Sequence, residues 1–349
     1  MKILVVTREF PPNVIGGMGY HLGYLYSKIV ELGHELTVLA GTCSQSSKTA
    51  HNLINDSIRV ERFSYGTFHA HHLWFSIALK NRLREFEVEN FDVALTHTHI
   101  PFELGIPTIQ KYHGCSRKQR PFFRQELSGP KKIVDSLIDP TRRLIEQRSI
   151  RYLDFAIFNS KLCRDAWKEH YEVETSTTVI YNGVDTNIFY PREVEEQKDY
   201  VLFVGDSVRK GLLTVKEYAN QLSEEVWVVG PSKVEDENIT ALGRVNQDRL
   251  AELYTGAVAT VHPARFEAFG NVILESLACG TPVVISDQCG AAEIVDETYG
   301  RVTTDLPEGV KSVKGIDRNV CVEKARNFTW SKVADQTISK IRENVNIFE

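Results

Sequence analysis

Glu267 and Glu275 are the residues of this sequence whose type and spacing best suit a polyhydroxylated ligand. Residues 258–262 before them predict a strand and residues 272–279 predict a helix, so Glu267 lies in the intervening loop. The free N–H groups and the dipole at the start of such a helix favour a phosphate. Carboxylates accept hydrogen bonds from the vicinal hydroxyls of a sugar or a ribose. The segment therefore predicts a site for a ligand that carries both groups. A helix-capping Glu267 and a surface Glu275 are the simpler interpretation of these two residues alone.

Glycines, cations and a histidine follow three other predicted strands. Gly16 and Gly17 come after the first strand, where the lack of a Cβ lets the backbone approach a ligand phosphate. Arg209 and Lys210 lie between a strand and a helix, where they suit an anionic ligand. His113 ends an apolar strand. Each group also has a simpler interpretation: a plain strand-to-helix turn, a solvated turn and a structural histidine, respectively.

The elements that carry these residues alternate between short apolar strands and amphipathic helices in both halves of the chain. Strands buried on both faces and separated by helices form parallel, doubly wound sheets. We therefore predict two Rossmann-like domains that face a cleft, where ligands bind beyond the carboxyl ends of the strands. The predicted domains are residues 1–190 and residues 191–332, with a C-terminal helix over 333–349 that packs back on the first domain. The predicted strands are residues 2–7, 35–40, 58–63, 92–96, 108–112, 155–158 and 178–181, then 201–204, 226–229, 258–261 and 282–285.

Composition narrows the class of protein. The 349 residues carry a net charge of -5, which gives no general attraction for nucleic acid, so we expect no nucleic-acid partner. The chain has no apolar run of about 18 residues and no signal peptide at its start. Its six cysteines are scattered without C-x-x-C pairs, which predicts free thiols in a reducing compartment and a cytoplasmic protein.

An ordered set of motifs resembles the retaining glycosyltransferases of the GT-B fold, in particular family 4. That family has two glutamates separated by seven residues, as Glu267 and Glu275 are. It also has an E-G-F-G motif, similar to Glu267–Gly270, and an A-x-G-x-P-V-V motif, similar to Ala278–Val284. Further matches are Phe10–Pro12 with Gly16 and Gly17, Gly33–Val38, His113–Gly114, Asn159–Ser160, Asn182–Asp185 with Phe189, Glu293–Val295 and Phe328–Trp330.

The resemblance implies transfer of a hexose-type sugar from a nucleotide diphosphate to an acceptor hydroxyl, with retention at the anomeric carbon. The D-x-D motif of metal-dependent GT-A glycosyltransferases is missing from the sequence, so we expect neither a metal nor another cofactor. Catalytic roles are implied for Glu267, His113 and Lys210. Glu267 would contact the donor sugar, and Glu275 the ribose. The implied donor-binding residues are Gly16, Gly17, Arg209, Lys210, Gly243, Arg244, Val245, Glu267, Phe269, Gly270, Asn271, Val272 and Glu275.

One position departs from the family pattern. The family has a Gly-Arg pair after the first strand of the second domain, where this chain has Gly205 and Asp206. We hypothesise that Arg209 replaces the missing cation. Two other functions on the same fold stay open: a sugar-nucleotide epimerase and a non-catalytic nucleotide-sugar binding protein. The ordered motifs argue against the first, and the retained Glu267, Lys210 and His113 argue against the second.

Residues 117–143 are basic and contain paired aromatic residues. By resemblance they lie on the acceptor side, where the acceptor is a sugar, a glycolipid or another hydroxyl compound. The segment could touch an anionic membrane or bind a phosphorylated or acidic acceptor. A solvated, charged helical excursion is the simpler interpretation. We therefore expect a cytoplasmic protein, with peripheral contact at the inner membrane face as the alternative.

Overall fold

The computed structural model of the protein describes residues 1–14, 17–43, 47–48, 53, 55–66, 70–194, 199–231, 233–234 and 236–345. Within these ranges, parallel sheets of seven and six strands form the centres of two α/β domains. The strand order of each sheet is that of a Rossmann-like fold. The predicted fold class is therefore confirmed.

The first domain is built on the seven-stranded sheet. Its strands in the described residues are β1 (Lys2–Thr7), β2 (Asn13–Val14), β3 (Glu35–Thr42), β4 (Ser47–Lys48), β5 (Arg59–Ser64), β6 (Val93–Thr96), β7 (Thr108–Tyr112), β8 (Phe155–Phe158) and β9 (Ser176–Val179). Its helices there are α1 (Gly17–Glu31), α2 (His71–Arg82), α3 (Ser116–Glu126), α4 (Gly129–Ile150) and α5 (Lys161–His170). The sheet order is β5-β3-β1-β6-β7-β8-β9, and β2 pairs with β4 in an antiparallel ribbon.

The second domain repeats this plan. Its strands in the described ranges are β10 (Tyr200–Val204), β11 (Glu225–Val229), β12 (Ile239–Gly243), β13 (Ala259–His262), β14 (Val283–Ile285) and β15 (Gly300–Val302). The sheet order is β12-β11-β10-β13-β14-β15. The α-helices after β10 in the described ranges are α6 (Leu212–Tyr218), α7 (Gln247–Gly256), α8 (Asn271–Ala278), α9 (Leu306–Val313), α10 (Arg318–Ala325) and α11 (Trp330–Asn344).

Each sheet is buried on both faces, which explains why most residues of the central strands are apolar. In β1, Ile3 and Val5 join one core cluster, whereas Leu4 and Val6 join the cluster on the opposite face. The second sheet has a core cluster on each face in the same way. Because each core sits between a sheet and its helices, the sheets are rigid supports for the loops at their carboxyl edges.

Three of the predicted strands have the observed bounds. The strands predicted at residues 2–7, 108–112 and 155–158 have those bounds. The strand predicted at 178–181 is β9, which begins and ends two residues earlier. The edge strand β15 was not predicted, because its three residues include a glycine and an arginine.

The last helix returns to the first domain. Ala334, Ile338 and Ile341 on α11 are buried in the cluster that contains Leu22 and Leu25 of α1. Residues 191–194 between the domains are neither helix nor strand, and 195–198 and 346–349 lie outside the described residues. The domain boundaries given above stay predictions.

Candidate active site

A cleft of about 1230 Å³ lies between the two domains. In the first sheet the chain order reverses between β1 and β6, and in the second between β10 and β13. Ligands of open α/β sheets bind at such switch points. Arg8, which follows β1, and His97, which follows β6, line the cleft on one side. The loop that follows β10 lines it on the other side and brings Lys210 to the surface of the cleft.

Glu267 is held by an arginine from a distant loop. The Nη1 group of Arg209 donates to Glu267 Oε2 at 2.9 Å and to the Phe266 carbonyl at 2.9 Å. Burial raises the pKa of the Glu267 carboxyl, but the positive charges of Arg209 and Lys210 outweigh burial and hold that pKa below its usual value. Glu267 is therefore ionised at neutral pH beside two cations.

The first turn of α8 presents free backbone donors next to Glu267. Gly270 precedes the helix with a φ of 92°, a left-handed conformation that favours glycine. Within the described part of the chain, the N–H groups of Gly270, Asn271 and Val272 donate to no protein acceptor. The side chain of Phe269 is buried in the core, so any contact of this residue with a ligand is through its backbone.

Glu275 lies one turn further along α8, in an apolar setting. The Tyr254 hydroxyl donates to Glu275 Oε2 at 3.0 Å. Burial raises the pKa of Glu275 to about 7, and the hydrogen bond from Tyr254 only partly opposes that rise. The two glutamates therefore differ in charge state near neutrality, with Glu267 ionised and Glu275 close to its titration point.

The loop after β10 carries the second cation of the site. The aliphatic part of Lys210 lies over Gly205, where an added Cβ would stand 2.9 Å from Lys210 Cδ. Asp206, Arg209 and Lys210 all line the cleft. The backbone N–H of Val208 donates to the Glu126 carboxylate on α3 at 2.6 Å, so this loop touches the opposite domain.

A chain of hydrogen bonds leads from the core to His113. The Tyr26 hydroxyl contacts His97 Nε2 at 2.5 Å, and His97 Nδ1 contacts His113 Nε2 at 2.7 Å. Burial, together with the positive charges of Lys111 and Arg8, lowers the pKa of His113 to about 3. If the Tyr26 hydroxyl donates to His97, then His97 donates to His113, which carries its own proton on Nδ1. His113 is neutral at the cleft wall and its orientation is held by this chain.

The structure places six of the fourteen predicted site residues in the lining of the cleft, and Glu267, Glu275 and residues 269–272 are not part of that lining. Gly17, His113, Arg209, Lys210, Arg244 and Val245 line the cleft. Glu267 contacts Arg209, and Glu275 and the start of α8 lie on the same side of the second domain. Gly243 ends β12, directly before two of the lining residues. Gly16 lies outside the described residues.

Sequence profiles now identify the two halves of the chain. The profile of Glycosyltransferase Family 4 matches residues 15–188, and that of Glycosyl transferases group 1 matches residues 185–318. The chain belongs to this glycosyltransferase family. It is therefore an enzyme of the transferase class, and the predicted resemblance to family 4 is confirmed.

Several relatives and solved structures match this glycosyltransferase over almost the whole of both chains. The alpha-maltose-1-phosphate synthase of Mycolicibacterium smegmatis is 23% identical, and the alignment covers 98% of the chain and 99% of that protein. The sucrose-phosphate synthase of Thermosynechococcus elongatus superposes with a TM-score of 0.76 at 18% identity, covering 98% and 99% of the two chains. HepE of Anabaena in complex with UDP-glucose has a TM-score of 0.71 at 17% identity, covering 98% and 100%. The fold of this glycosyltransferase is GT-B.

The basic segment 117–143 of the glycosyltransferase is internally neutralised in part. Asp135 and Asp139, which are buried on α4, accept ion pairs from five arginines of α3 and α4. These arginines are Arg117, Arg120, Arg124, Arg142 and Arg143. Their pairing joins α3 to α4 and leaves an excess of three positive charges, five minus two. These arginines are therefore not the free surface charges of a solvated basic helix.

Two cations of the glycosyltransferase cleft, Arg8 and Lys111, were not predicted from the sequence. Lys111 is fully buried on β7, and Arg8 follows β1 directly. Both line the cleft. A signal for them existed, because a charged residue at the carboxyl end of a buried parallel strand lies where ligands bind.

The described residues lack three features: a metal-binding cluster, a membrane-spanning helix and a disulfide bond. They contain no cluster of three or more His, Cys, Asp or Glu side chains arranged to bind a metal ion. In the same residues, no helix is both long and apolar enough to cross a lipid bilayer. The six cysteines, all in described ranges, form no disulfide bond.

Proposed function

We propose that this glycosyltransferase moves a hexose from a nucleotide-diphosphate donor to an acceptor hydroxyl, with retention at the anomeric carbon and without a metal. The observation that carries the proposal is the contact between Arg209 and Glu267 beside Lys210, opposite His113 across the cleft. Two cations there suit a departing diphosphate, and an ionised carboxylate suits the hydroxyls of the donor sugar.

The proposed mechanism uses fixed charges rather than a metal ion. Arg209 and Lys210 neutralise the charge that develops on the diphosphate as the glycosidic bond breaks. The free N–H groups at the start of α8 add hydrogen bonds and a favourable helix dipole. The acceptor hydroxyl attacks the same face that the diphosphate leaves, and a donor phosphate oxygen takes its proton. Neutral His113 approaches the reacting sugar without adding positive charge near the anomeric carbon.

UDP-glucose is the first donor to test. HepE has been solved with UDP-glucose and has the same fold over the whole chain. The names of two relatives, alpha-maltose-1-phosphate synthase and sucrose-phosphate synthase, also describe glycoside products. Calorimetry with UDP-glucose, GDP-mannose and ADP-glucose would rank the donors.

The reaction itself is tested by product stereochemistry. The anomeric proton in the NMR spectrum of the product should keep the configuration of the donor, and the rate should survive chelation by EDTA. Glu267→Gln should lower turnover by at least about 100-fold. An inverted product, or loss of activity with EDTA, contradicts the proposed mechanism. Epimerised free donor without an acceptor-dependent product would instead identify an epimerase.

We also propose peripheral contact of α4 with an anionic membrane. Ile133, Leu137 and Leu144 are 65%, 74% and 56% exposed, and their spacing places them on one face of α4. Lys131 and Lys132 are exposed next to them, whereas the nearby arginines are engaged with Asp135 and Asp139. An exposed apolar stripe flanked by lysines suits insertion at an anionic lipid surface.

Sedimentation with vesicles tests the membrane contact. The full chain should sediment with phosphatidylglycerol vesicles at low salt, and the double change Ile133→Gln with Leu137→Gln should abolish sedimentation. Leu213→Gln, on an exposed leucine of α6 in the other domain, is the matched control and should sediment normally. Equal sedimentation of all three proteins, or of none, contradicts the contact.

A further inference from the structure

Lys111 is a buried lysine without a partner in the wall of the cleft. It is 0% exposed on β7, and its Nζ atom has no hydrogen-bond partner in the described parts of the chain. Burial lowers the pKa of Lys111 to about 7. An ammonium group taken out of water without an anion is strongly unfavourable. The fold does not need a charge at this point of a buried strand, so a ligand is the natural source of the missing partner.

Arg8 brings a second cation to the same place from another strand. Its Nε atom is buried and has no hydrogen-bond partner among the described residues. Arg8, Lys111 and His113 all line the cleft, and the charges of Lys111 and Arg8 add to the effect of burial in lowering the pKa of His113. Two positive charges from β1 and β7 therefore converge beside a residue that faces the cleft.

The acidic residues of this wall are held elsewhere. Glu146 accepts hydrogen bonds from Ser116 and Tyr171. Asp135 is surrounded by three arginines. In the described residues, neither Arg8 nor Lys111 forms an ion pair with a carboxylate.

We propose that Lys111 and Arg8 form an anion subsite for the acceptor, whose anionic group is a phosphate monoester or a carboxylate. This inference rests on the proposed function, because it assigns the first-domain wall of the cleft to the acceptor. The donor groups Arg209, Lys210 and Glu267 all belong to the second domain. The subsite of Lys111 and Arg8 therefore lies on the wall of the cleft opposite these three donor groups.

A phosphate monoester fits this subsite best. It carries up to two negative charges and three free oxygens, which match the point charge of Lys111 and the planar guanidinium of Arg8. The neutral imidazole of His113 can donate a further hydrogen bond from Nδ1. A carboxylate has one charge and leaves one cation uncompensated.

Three hexose probes test the subsite in the full chain saturated with UDP. Calorimetry with glucose 6-phosphate, glucuronate and glucose should show the tightest binding for the phosphate and the weakest for glucose. Lys111→Met and Arg8→Gln should each weaken glucose 6-phosphate binding by about 10- to 100-fold. Lys168→Met, on an exposed lysine of α5, is the control and should bind like the original chain. Tighter binding of glucuronate than of glucose 6-phosphate, lost in both variants, would assign the subsite to a carboxylate.

The affinity for UDP separates this inference from the proposed function. Lys111→Met removes an unpaired buried charge, so it should fold at least as stably as the original chain and bind UDP equally well. Equal affinity for glucose and glucose 6-phosphate, or unchanged affinity in both variants, overturns the subsite and leaves the proposed function intact. If the original chain transfers no sugar from any nucleotide donor, the proposed function fails instead, whatever the binding of phosphate.

Discussion

The contact between Arg209 and Glu267 joins two loops that are 58 residues apart in the chain. It sets the charge of Glu267, because a cation at hydrogen-bonding distance favours the ionised carboxylate. Asp206 stands nearby where relatives are expected to have an arginine, so Arg209 is the residue that can supply the missing positive charge.

We expect Arg209→Ala to lower turnover by about 100-fold, because one of the two cations facing the diphosphate is lost. The pKa of Glu267 should rise as well, since Arg209 holds it down. The acid limb of the rate profile should therefore move to higher pH. Initial rates between pH 5 and 9 measure both effects. Arg265→Ala, which removes an exposed arginine of the neighbouring loop, should leave the profile unchanged. Unaltered turnover and donor affinity in Arg209→Ala would refute the role.

We expect the affinity for the nucleotide to depend on pH because of Glu275. Its pKa is raised to about 7, so the carboxylate forms as the pH rises from 6 to 8. An ionised carboxylate accepts hydrogen bonds from both ribose hydroxyls, and a protonated one accepts fewer. UDP affinity should therefore rise over this range, and calorimetry should show a smaller rise in Glu275→Gln. Glu217→Gln, on an exposed glutamate of α6, is the control. Parallel curves for all three proteins would exclude Glu275 from nucleotide binding.

The helix α8 depends on the backbone conformation at its start. The left-handed conformation of Gly270 turns the chain so that the next N–H groups point away from the helix, and an added Cβ would stand 2.9 Å from Cys289 Sγ. α3 and α4 illustrate a different support, because buried aspartates hold them together through several arginines. In both cases the helices act as supports for groups at the cleft: the backbone N–H groups at the start of α8, and the arginines of α3 and α4.

Gly270→Ala should destabilise the second domain by about 1–2 kcal/mol, because an alanine is strained at this φ. It should also weaken donor binding, since the N–H groups of the first turn are displaced. Urea unfolding and UDP calorimetry measure the two effects. Gly129→Ala is the matched control: no atom lies within 4 Å of its added Cβ, and its φ is not positive. A fully stable Gly270→Ala with normal UDP affinity would contradict this interpretation.

The two domains are joined by contacts as well as by the chain. The Glu293 carboxylate of the second domain accepts from the N–H groups of Lys161 and Leu162 at the start of α5, at 2.9 and 2.7 Å. Trp330 at the start of α11 stacks on Tyr24 of α1, with a ring separation of 5.9 Å. Because the cleft lies between the domains, these contacts determine how the two walls face each other.

The stability of the protein should depend on pH through Lys111. Its pKa is about 7 in the folded chain and 10.5 when it is exposed by unfolding. Between these values the unfolded state binds more protons, so the free energy of unfolding should increase as the pH rises from 7 towards 10. Below pH 7 the unfavourable buried charge is fully present. The increase should be smaller in Lys111→Met, and Lys168→Met should behave like the original chain in the same urea titrations. Identical slopes in all three proteins would show that folding does not lower the pKa of Lys111.

Much of the fold was predictable because its signals are local. The apolar character of β1 and β8 follows from burial of both sheet faces, and the bounds of both strands were predicted correctly. The short β15 was missed because three residues with one arginine carry no such pattern. The ion pairs of the arginines in residues 117–143 were not predicted for another reason. Asp135 and Asp139 become neighbours of several of these arginines only when α3 packs on α4.

The sequence by itself determined the α/β class and the family, because these depend on residue types at short and regular spacing. It also singled out Glu267 and Glu275, since both stand in one continuous segment. Only the tertiary structure decided that Arg209 pairs with Glu267 and that Glu275 titrates near pH 7. It alone revealed the unpaired charge of Lys111. The reason is physical: burial and charge pairing depend on groups that folding brings together from distant parts of the chain.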